Sequence, residues 1–461
     1  MPSTNSQFPL SEAEIEAMLK VLGRQTLDEL FAGPGLRDVI VGPEQVTLPA
    51  DRAPFPPPLG DFDLLAALRE KAARTKGLDR LAGFLGGGAY HHFIPPAVDF
   101  LTARGEFFTA YTPYQSEASQ GTLQAIFEYQ TMIARLTGMQ IANASLYDGA
   151  TATAEAAIMA VRAGKGPRRV AVSHGVNPRW RRVLETYLTP QGIEITELAV
   201  RDGVSQFAAL DDEAFWPVSA VVVQTPNYLG VIEDLEGVAE KCHTRGALLI
   251  VAVYPPALGM ITPPGEWGAD IACGEGQPLG QPLSFGGPFV GLLACRDELK
   301  RLLPGRIVGE TVDRNGRRAF TMTLRTREQD IRREKATSNI CTNQALCALR
   351  ATVFMALLGE GGFRRWSLLI RRQALRLRRA LASVRGVTFL NDAPFFNEFV
   401  YLTPLPAVEV LAALRERGIA GGLPLGDDYR GLDNGILTCA TELNTDEQID
   451  RYRTCLSELL N

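Results

Sequence analysis

A short run of small residues in the first half of the chain could bind an anion. The segment Leu146–Ala152 reads Leu-Tyr-Asp-Gly-Ala-Thr-Ala and leads into an alanine-rich pattern that predicts a helix near residues 150–163. A helix N-terminus attracts negative charge through its free N–H groups and its dipole, which makes Asp148, Gly149 and Thr151 candidates for a phosphate loop. Alternatively, Asp148 only caps the helix and the small residues allow close packing.

Amine nucleophiles are scarce in this chain. A lysine amine can form an imine with an aldehyde cofactor, which is one of the few ways a side chain holds such a group covalently. The chain has seven lysines, namely Lys20, Lys71, Lys76, Lys165, Lys241, Lys300 and Lys335. The interval between Lys241 and Lys300 therefore offers no site for an imine.

Two adjacent histidines, His91 and His92, could act as acid–base groups. They stand before Phe93 and a pair of prolines, and a structural role is the interpretation we favour. The glycines at positions 86–88 form a permissive loop, and three glycines alone are too weak a signal for a phosphate site.

The elements that must position these residues alternate between strands and helices from Gly121 onward. Beside the helix near 150–163, the patterns predict helices near residues 121–136, 178–188 and 234–244, and a long helix that begins near residue 345. A final helix is predicted at 446–459. Strands are predicted at Arg169–Ser173, Ile193–Val200, Val218–Gln224, Ala247–Val253 and Phe289–Ala294. Such alternation predicts a mostly parallel sheet that is covered on both faces.

The N-terminal part has a different character. Capping boxes at Ser11–Glu14 and Thr26–Glu29 each predict the start of a short helix. The proline-rich segment Ala53–Gly60 predicts an extended linker, after which Leu64, Leu65, Leu68 and Ala72 share a helical face. We predict three regions: an N-terminal helical region at 1–95 that wraps the main body, a large domain at 96–345, and a small C-terminal α+β domain at 346–461.

Composition limits the classes of function. A net charge of −5 over 461 residues argues against a nucleic-acid-binding face, which needs concentrated basic residues. No apolar run reaches the length of a membrane span, and the N-terminus lacks the pattern of a signal peptide. The seven cysteines are scattered without Cys-x-x-Cys spacing, so we expect a reduced, cytoplasmic protein without a metal site.

This layout, a large α/β domain followed by a smaller α+β domain, is that of aminotransferase-like enzymes that use pyridoxal phosphate (fold type I). Their site requires a helix N-terminus for the phosphate, an aspartate at a strand end for the pyridine nitrogen, and a lysine for the Schiff base. Leu146–Ala152 meets the first requirement. The strand that should supply the aspartate ends in Tyr254, and Gln277 lies near the expected lysine position. The sequence therefore predicts that this chain does not bind the cofactor covalently.

Several longer strings of the sequence carry a resemblance to a known family. They include Phe107–Gln115, Glu117–Gly121, Asn143–Thr151, Pro263–Glu266, Ser284–Pro288, Pro304–Thr311, Ile331–Thr342 and Asn397–Phe399. These strings resemble the alpha subunits (subunit 1) of two-subunit glycine dehydrogenases (decarboxylating), which are P-proteins of the glycine cleavage system. The similarity extends over nearly the whole chain.

The resemblance implies a division of labour. The alpha subunit corresponds to the N-terminal half of the longer single-chain P-protein, and the beta subunit carries pyridoxal phosphate on its lysine. The pair, expected as α2β2, decarboxylates glycine and transfers the methylamine group to the lipoyl arm of the H protein. Lipoate is then a co-substrate on that carrier, and the missing lysine is a property of the family.

The segment Tyr111–Gln120 is polar and aromatic and contains a proline, which is typical of a loop. On the resemblance, Tyr111, Tyr114 and Gln115 are candidates to reach the partner's active site and to help bind glycine or the lipoyl arm. Burial of both tyrosines at the subunit interface is an equal alternative.

A basic run follows at Arg325–Lys335. Such a run is most often a solvated helix face, and the alternative is a surface for a partner or an acidic carrier protein. The candidate interface residues are Arg333, Lys335, Thr337, Ser338 and Asn339.

Two positions depart from the family pattern. Asn177 stands where the family has histidine, and Tyr254 stands where an aspartate is common. Both fall in the vestigial cofactor site. Two other functions are alternatives for this sequence: a stand-alone pyridoxal enzyme, which the missing lysine opposes, and a non-enzymatic scaffold or regulator on the same fold.

Overall fold

The computed structural model describes residues 10–30, 59–78, 80–164 and 166–460, and the chain forms two compact units, 1–75 and 76–461. The helices are α1 (Glu12–Val21), α2 (Asp61–Ala73), α3 (Pro96–Thr102), α4 (Gly105–Phe108), α5 (Gln120–Thr137), α6 (Gly149–Ala163), α7 (Pro178–Leu188), α8 (Val238–His243), α9 (Gln329–Arg332), α10 (Ala345–Ala382), α11 (Ala407–Glu416) and α12 (Asp446–Leu460). The strands are β1 (Ala82–Gly83), β2 (Ile141–Ala142), β3 (Arg169–Ser173), β4 (Glu194–Leu198), β5 (Val200–Arg201), β6 (Val204–Ser205), β7 (Ala220–Thr225), β8 (Leu248–Val253), β9 (Ile271–Glu275), β10 (Gly291–Cys295), β11 (Ile307–Val312), β12 (Arg318–Thr323), β13 (Thr388–Phe389), β14 (Glu398–Leu402), β15 (Ile419–Ala420), β16 (Leu423–Pro424) and β17 (Gly435–Cys439).

The first unit contains α1 and α2. Helix α1 begins with the predicted capping box, in which Glu14 N–H donates to Ser11 Oγ at 3.3 Å and Ser11 N–H donates to Glu14 Oε2 at 2.7 Å. At the second predicted box, Glu29 N–H donates to Thr26 Oγ1 at 3.4 Å and Glu29 Oε2 accepts from Gln25 N–H at 2.8 Å, and Asp28–Leu30 form a 3-10 turn at the end of this described segment. Most of the predicted linker, residues 53–58, lies outside the described residues.

A seven-stranded sheet forms the centre of the second unit. Its strand order is β2-β10-β9-β8-β7-β3-β4, and β10 is antiparallel to both of its neighbours while the pairs from β9 to β4 are parallel. The predicted α/β fold class with a mostly parallel sheet is therefore confirmed. Because the carboxyl ends of β7, β8 and β9 meet at one edge, residues that follow these strands come together there.

Apolar layers cover both faces of this sheet. The alanine-rich helix α6 packs on one face, where Ala152 and Ala156 are fully buried beside Val222 and Ile250. Helices α5, α8 and α10 cover the other face, with Ile133 and Phe354 in its core. Small side chains on α6 let the helix approach the strands closely, which brings its N-terminus to the edge of the sheet.

The C-terminal sheet has the order β13-β14-β17-β16 and is antiparallel. Its core also contains Ala82 and Phe84, and β1 pairs in parallel with β15 through Ala82 and Ile419. Residues 82–84, which we assigned to the N-terminal region, thus belong structurally with the C-terminal sheet. The domain limits at residues 95 and 345 otherwise stay predictions.

The predicted strands and helices agree with the structure most closely where the local pattern is strong. Strand β3 and helices α7 and α12 have nearly the predicted bounds, whereas the predicted strand 193–200 divides into β4 and β5. Strand β9, Ile-Ala-Cys-Gly-Glu, was not predicted, because it lacks a run of β-branched residues and is defined by its position between β8 and β10.

Among the described helices, α10 is long and apolar enough to cross a membrane by length and composition alone. Gly359, with φ 57° and ψ 179°, interrupts its helical geometry. Its buried side chains, among them Phe354, Ile370 and Leu377, lie in the hydrophobic cores of the sheets. We therefore interpret α10 as a helix that packs one side on these cores.

Candidate functional site

The predicted phosphate loop lies at the carboxyl edge of the large sheet, at the start of α6. Asp148 Oδ1 accepts from Thr151 N–H at 2.8 Å, and Thr151 Oγ1 accepts from Asp148 N–H at 3.2 Å, which completes a capping box. The N–H of Gly149 donates to Glu275 Oε2 at 2.9 Å. A carboxyl group of the chain itself therefore lies at this helix N-terminus.

Little space remains above Gly149. A Cβ atom at this position would lie 2.6 Å from the Trp180 ring and 2.8 Å from the backbone nitrogen of Glu275. The glycine thus permits close packing of α7 and β9 against the start of α6, as the simpler interpretation of this loop expected.

Glu275, the last residue of β9, is buried and accepts three backbone N–H groups. Besides Gly149, the donors are Gln277 at 2.9 Å and Val290 at 3.3 Å. Burial raises the pKa of Glu275 to about 8, and the nearby charge of Asp148 acts in the same direction while the N–H donors oppose it. This buried carboxyl group links the start of α6 to the segment that follows β9.

Gln277 is buried, and its amide holds the backbone of a distant loop. Its Oε1 accepts from Tyr90 N–H at 2.8 Å, and its Nε2 donates to the carbonyl oxygens of Tyr90 and Gln281, each at 2.9 Å. The residue nearest to the expected lysine position therefore forms a structural clamp.

Tyr254, where an aspartate was expected, follows β8 and packs against Tyr90 with ring centroids 4.4 Å apart. Its hydroxyl lies 2.6 Å from His92 Nε2, and His92 Nδ1 lies 2.8 Å from Glu442 Oε2. Burial acts to raise the pKa of Glu442. The interaction with His92 and the hydrogen bonds that Glu442 accepts from His92 and Phe93 N–H outweigh burial, so the pKa of this carboxyl group is lowered. His92 is thus a buried structural residue in a Tyr–His–Glu chain, in keeping with the interpretation we favoured.

The glycine run at 86–88 approaches a second buried carboxyl group, that of Glu398. Gly87 N–H donates to Glu398 Oε1 at 2.6 Å, and the Tyr90 hydroxyl donates to Oε2 at 2.7 Å. Asn177, one of the two departures from the family pattern, donates from Nδ2 to the Gly87 carbonyl at 3.0 Å. Gly87 and Gly88 have φ of +72° and +118°, and a Cβ on Gly86 would lie 2.1 Å from Glu398 Oε1, so this tight approach requires glycine.

Pyridoxal phosphate does not fit the residues that the structure brings together here. Glu275 and Trp180 cover the helix N-terminus that would bind the phosphate. Tyr90 and Tyr254 pack together beside it, and an amide stands near the lysine position. A phosphate placed at Gly149 would also meet the Glu275 carboxyl group, which is an unfavourable pairing when that group is charged. Among the described residues, no cluster of three or more histidine, cysteine or acidic side chains could hold a metal ion.

The Tyr111–Gln115 loop is separate from this cluster and is accessible in the chain. Tyr111 is 86% exposed, and Gln115 is also exposed. The hydroxyl of Tyr114 accepts from Arg306 Nη2 at 3.3 Å, and the guanidinium groups of Arg306 and Arg325 lie 5.7 Å and 5.1 Å from the centroid of its ring. Tyr114 is thus held in a defined orientation between two cations, whereas Tyr111 projects into solvent.

The basic run at 325–335 is not a solvated helix face. It consists of α9, which has only four residues, and two short 3-10 turns, and Arg333 has a positive φ of 52°. Arg327 is buried and donates to the carbonyl oxygens of Leu324 and Gly305 at 2.9 Å. The prediction of a solvated helix face was wrong here. The charge pattern assigned Arg327 to solvent, whereas in the structure backbone carbonyl groups accept hydrogen bonds from its guanidinium group.

The other candidate interface residues follow this irregular segment. Arg162 of α6 donates to the Ala336 carbonyl at 3.0 Å and also to that of Thr337. A hydrogen bond from Ser338 lowers the pKa of the buried Glu155, although burial outweighs it and raises that pKa overall. Thr337, Ser338 and Asn339 line an open cleft beside Tyr187. An interface role for Arg333, Lys335 and these three residues stays a prediction.

Some residues of these clusters, among them Tyr90, Glu275 and Arg306, were not singled out from the sequence. Tyr90 and Glu275 form the hydrogen bonds that close the cofactor-type region, and Arg306 orients Tyr114. Arg306 lies within a string that carried the family resemblance, which was the available signal. Nothing in the local pattern marked Glu275 as a partner of α6.

The arrangement of the sheets and helices defines an α/β protein with the fold of pyridoxal-phosphate-dependent transferases. The same fold occurs in a sphingosine-1-phosphate lyase of Burkholderia pseudomallei, with a TM-score of 0.62 and 15% identity over 88% of this chain and 91% of that chain. It also occurs in a NifS-like protein, with a TM-score of 0.60 and 13% identity over 82% of this chain and 99% of that one.

Closer similarity identifies the family. The family model of the glycine cleavage system P-protein matches residues 5–455. The crystal structure of an inhibitor-bound glycine decarboxylase (P-protein) has a TM-score of 0.87 and 44% identity, over 98% of this chain and 99% of that chain. A probable glycine dehydrogenase (decarboxylating) subunit 1 of Geotalea uraniireducens is 48% identical over 96% of this chain and 98% of its own length, and that of Thermomicrobium roseum is 47% identical over 96% of each. The chain belongs to the glycine cleavage system P-protein family.

Proposed function

We propose that this chain is the subunit without a cofactor lysine in a heteromeric glycine dehydrogenase (decarboxylating). One observation carries the proposal: Glu275 accepts from Gly149 N–H at the start of α6, and Gln277, near the position at which the sequence predicts the Schiff-base residue, accepts from Tyr90 N–H. Close similarity to subunit 1 proteins over the whole chain supports it. A partner subunit that carries pyridoxal phosphate then supplies the chemistry of glycine decarboxylation.

The part that this chain plays is to support and complete the partner's site. The Gln277 clamp and the Glu398 hydrogen bonds fix the segment from Gly86 to His92. The loop with Tyr111, Tyr114 and Gln115 presents exposed polar and aromatic groups, and Arg306 orients one of them. We propose that this loop reaches the partner's active site, where it helps to position glycine or the lipoyl arm of the H protein.

The proposed assembly is an α2β2 heterotetramer in the cytoplasm. It would act on free glycine and use the lipoate of the H protein as co-substrate, without nucleic acid or membrane. The name "subunit 1" of the relatives implies a second subunit and supports the heteromeric arrangement.

Co-expression with a subunit 2 protein of the same family tests the proposal. We expect the two chains to elute together in size-exclusion chromatography at micromolar concentration, because a permanent complex buries more than about 2,000 Å². Exchange of labelled bicarbonate into glycine, with lipoylated H protein present, should require both chains.

Separate elution of the two chains would contradict the heteromeric assignment. Full exchange activity of the partner alone, with no change when this chain is added, would instead favour the alternative that this chain is a non-enzymatic scaffold or regulator. A matched control is this chain with Glu447→Gln, a change at an exposed residue of α12 outside the Tyr111–Gln115 loop and outside the candidate interface residues, which should assemble and support exchange as the wild type does.

A further inference from the structure

The open cleft beside Tyr187 has the features of a ligand site. It has a volume of about 380 Å³ and lies between helices α6 and α7 and the segment Thr337–Ile340. The buried side chains of Ile158 and Ile340 form its apolar part. None of the described residues of the Tyr111–Gln115 loop lines it, so the cleft is separate from the loop that we assign to the partner's site.

Glu155 of α6 supplies a carboxyl group to the wall of this cleft. The residue is only 4% exposed and borders the cleft, so the cleft is the side from which a ligand reaches it. Burial raises the pKa of this carboxyl group, and a hydrogen bond from Ser338 opposes the rise. Because Ser338 lies in the segment that forms the facing wall, this hydrogen bond orients the carboxyl group across the cleft.

The charge of Glu155 has no contacting partner within the described part of the chain. None of the arginine, lysine or histidine side chains there forms an ion pair with it. The charge of Arg162, two turns further along α6, acts on the pKa of Glu155 from a greater distance, and its guanidinium group donates to the Ala336 and Thr337 carbonyl oxygens. A buried carboxylate without a contacting cation is costly, and a cationic ligand that contacts it removes part of that cost.

Two tyrosines stand beside this carboxyl group. Tyr147 and Tyr187 are partly buried, and both line the cleft. Burial and the charges of Glu155 and Asp148 raise the pKa of Tyr187, so two carboxyl groups act on this part of the cleft. Aromatic rings attract organic cations and also pack against alkyl chains. Aromatic walls around a carboxyl group are therefore suited to an alkylammonium ligand.

We infer that this cleft binds the ammonium group of a small free alkylamine. Glu155 receives the ammonium group beside Tyr147 and Tyr187, and the alkyl chain packs on Ile158 and Ile340. A free amino acid is unsuited to the cleft, because its own carboxylate would lie close to Glu155. The site therefore goes beyond the proposed function and does not rest on it.

Ligand-observed NMR titration of the full-length chain with n-butylammonium chloride tests the inference. The amine should bind at a single site, and neutral butan-1-ol should bind at least about tenfold more weakly, because it lacks the charge that Glu155 attracts. Glycine at the same concentration should not displace the amine. Potassium chloride should compete only weakly, since the inorganic cation gains nothing from the apolar wall.

Variants assign the binding to this cleft. Glu155→Gln keeps the shape of the side chain and should weaken binding at least about tenfold. Tyr187→Leu removes an aromatic ring and should weaken it roughly three- to tenfold, whereas Tyr187→Phe keeps the ring and should bind as the wild type does. Thr186→Trp fills the cleft from an exposed position of α7 and should abolish binding, which keeps the test valid if Glu155→Gln does not fold. The matched control is Glu185→Gln, the same change at an exposed glutamate of α7 that does not line the cleft.

Four results would overturn the inference. The first three are no binding of n-butylammonium at millimolar concentration, equal binding of the amine and butan-1-ol, and binding that Thr186→Trp leaves unchanged. The fourth is displacement of the bound amine when a subunit 2 protein is added. Displacement would assign the cleft to a side chain of that partner and would exclude a site for a free amine.

Discussion

The side-chain amide of Gln277 pairs with both backbone polar groups of Tyr90, accepting from its N–H at 2.8 Å and donating to its carbonyl at 2.9 Å. A side-chain amide carries a donor and an acceptor on separate atoms, so it can pair with both groups at once. A lysine at this position could donate to the carbonyl but could not accept from the N–H. Gln277 is therefore suited to a structural task that the Schiff-base residue of a related enzyme could not perform.

Replacement of Gln277 by alanine should lower the free energy of unfolding by about 2–4 kcal/mol, because it leaves buried backbone groups of Tyr90 and Gln281 without partners. Urea unfolding followed by circular dichroism measures the change. Gln124→Ala is the matched control, since Gln124 is exposed and bonds only to Glu128 Oε1 at 2.8 Å. The control should stay within about 0.5 kcal/mol of the wild type, and an equal effect in both variants would contradict the clamp.

The chain should not hold pyridoxal phosphate covalently, and Gln277→Lys should not restore this ability. Restoring an amine leaves Glu275 at the N-terminus of α6 and Trp180 above Gly149, so the phosphate still has no place to bind. Incubation with the cofactor, borohydride reduction and peptide mass spectrometry give the measurement. A stoichiometric adduct on a single lysine would contradict the prediction, whereas scattered labelling of surface lysines is expected background.

The stability of the chain should depend on pH through Glu398. Burial raises the pKa of this carboxyl group to about 7, against the effect of hydrogen bonds from Tyr90 and Gly87. The folded chain therefore holds this proton more tightly than the unfolded chain does. The stability that Glu398 contributes is fully present below about pH 4.5 and is lost as the pH rises to about 7.

Glu398→Gln should remove this dependence, because its amide is neutral at all pH values and can still accept from Gly87 N–H. Between pH 4.5 and 8, the unfolding free energy of the wild type should fall by roughly 3 kcal/mol more than that of the variant. Urea titrations at both pH values provide the comparison, with the exposed Glu447→Gln as control. Parallel pH profiles of wild type and Glu398→Gln would show that the Glu398 proton is not linked to folding.

The cap of α6 gives a further prediction. Asp148→Ala removes the acceptor of Thr151 N–H and should cost about 1 kcal/mol of stability, whereas Asp148→Asn keeps an acceptor and should cost much less. Thermal unfolding of the three proteins is sufficient to compare them. Equal losses in both variants would point to the negative charge of Asp148, instead of its hydrogen bond, as the stabilising feature.

The proposed role of the exposed loop predicts that Tyr114→Phe lowers glycine turnover about tenfold or more without a loss of assembly. A hydroxyl that bonds to a reacting group in a buried site contributes a few kcal/mol, and about 1.4 kcal/mol corresponds to a tenfold rate. Exchange of labelled bicarbonate into glycine by the reconstituted pair reports the effect. An unchanged rate in a fully assembled variant would confine Tyr114 to the orientation of Arg306.

Local elements of the fold could be predicted because their signals are contained within a few residues. The alanine-rich pattern defines α6, and a Val-Ala-Val segment flanked by polar residues defines β3. The Asp148 cap is likewise a contact between residues three positions apart. Strand β9 and the burial of Arg327 could not be predicted in this way, because each depends on what surrounds the segment in the folded chain.

The sequence by itself determined that this chain has no lysine between positions 241 and 300, and its motif strings indicated the family. These are properties of residue identity and order, and folding cannot change them. Only the tertiary structure decided which groups Glu275 and Gln277 contact. Glu275 and Gly149 are 126 positions apart in the sequence, and Gln277 and Tyr90 are 187 positions apart. Each pair is joined by a hydrogen bond at the edge of the sheet. Spacing along the chain carries no information about such contacts, because the distance between these residues is set by how the strands and helices pack.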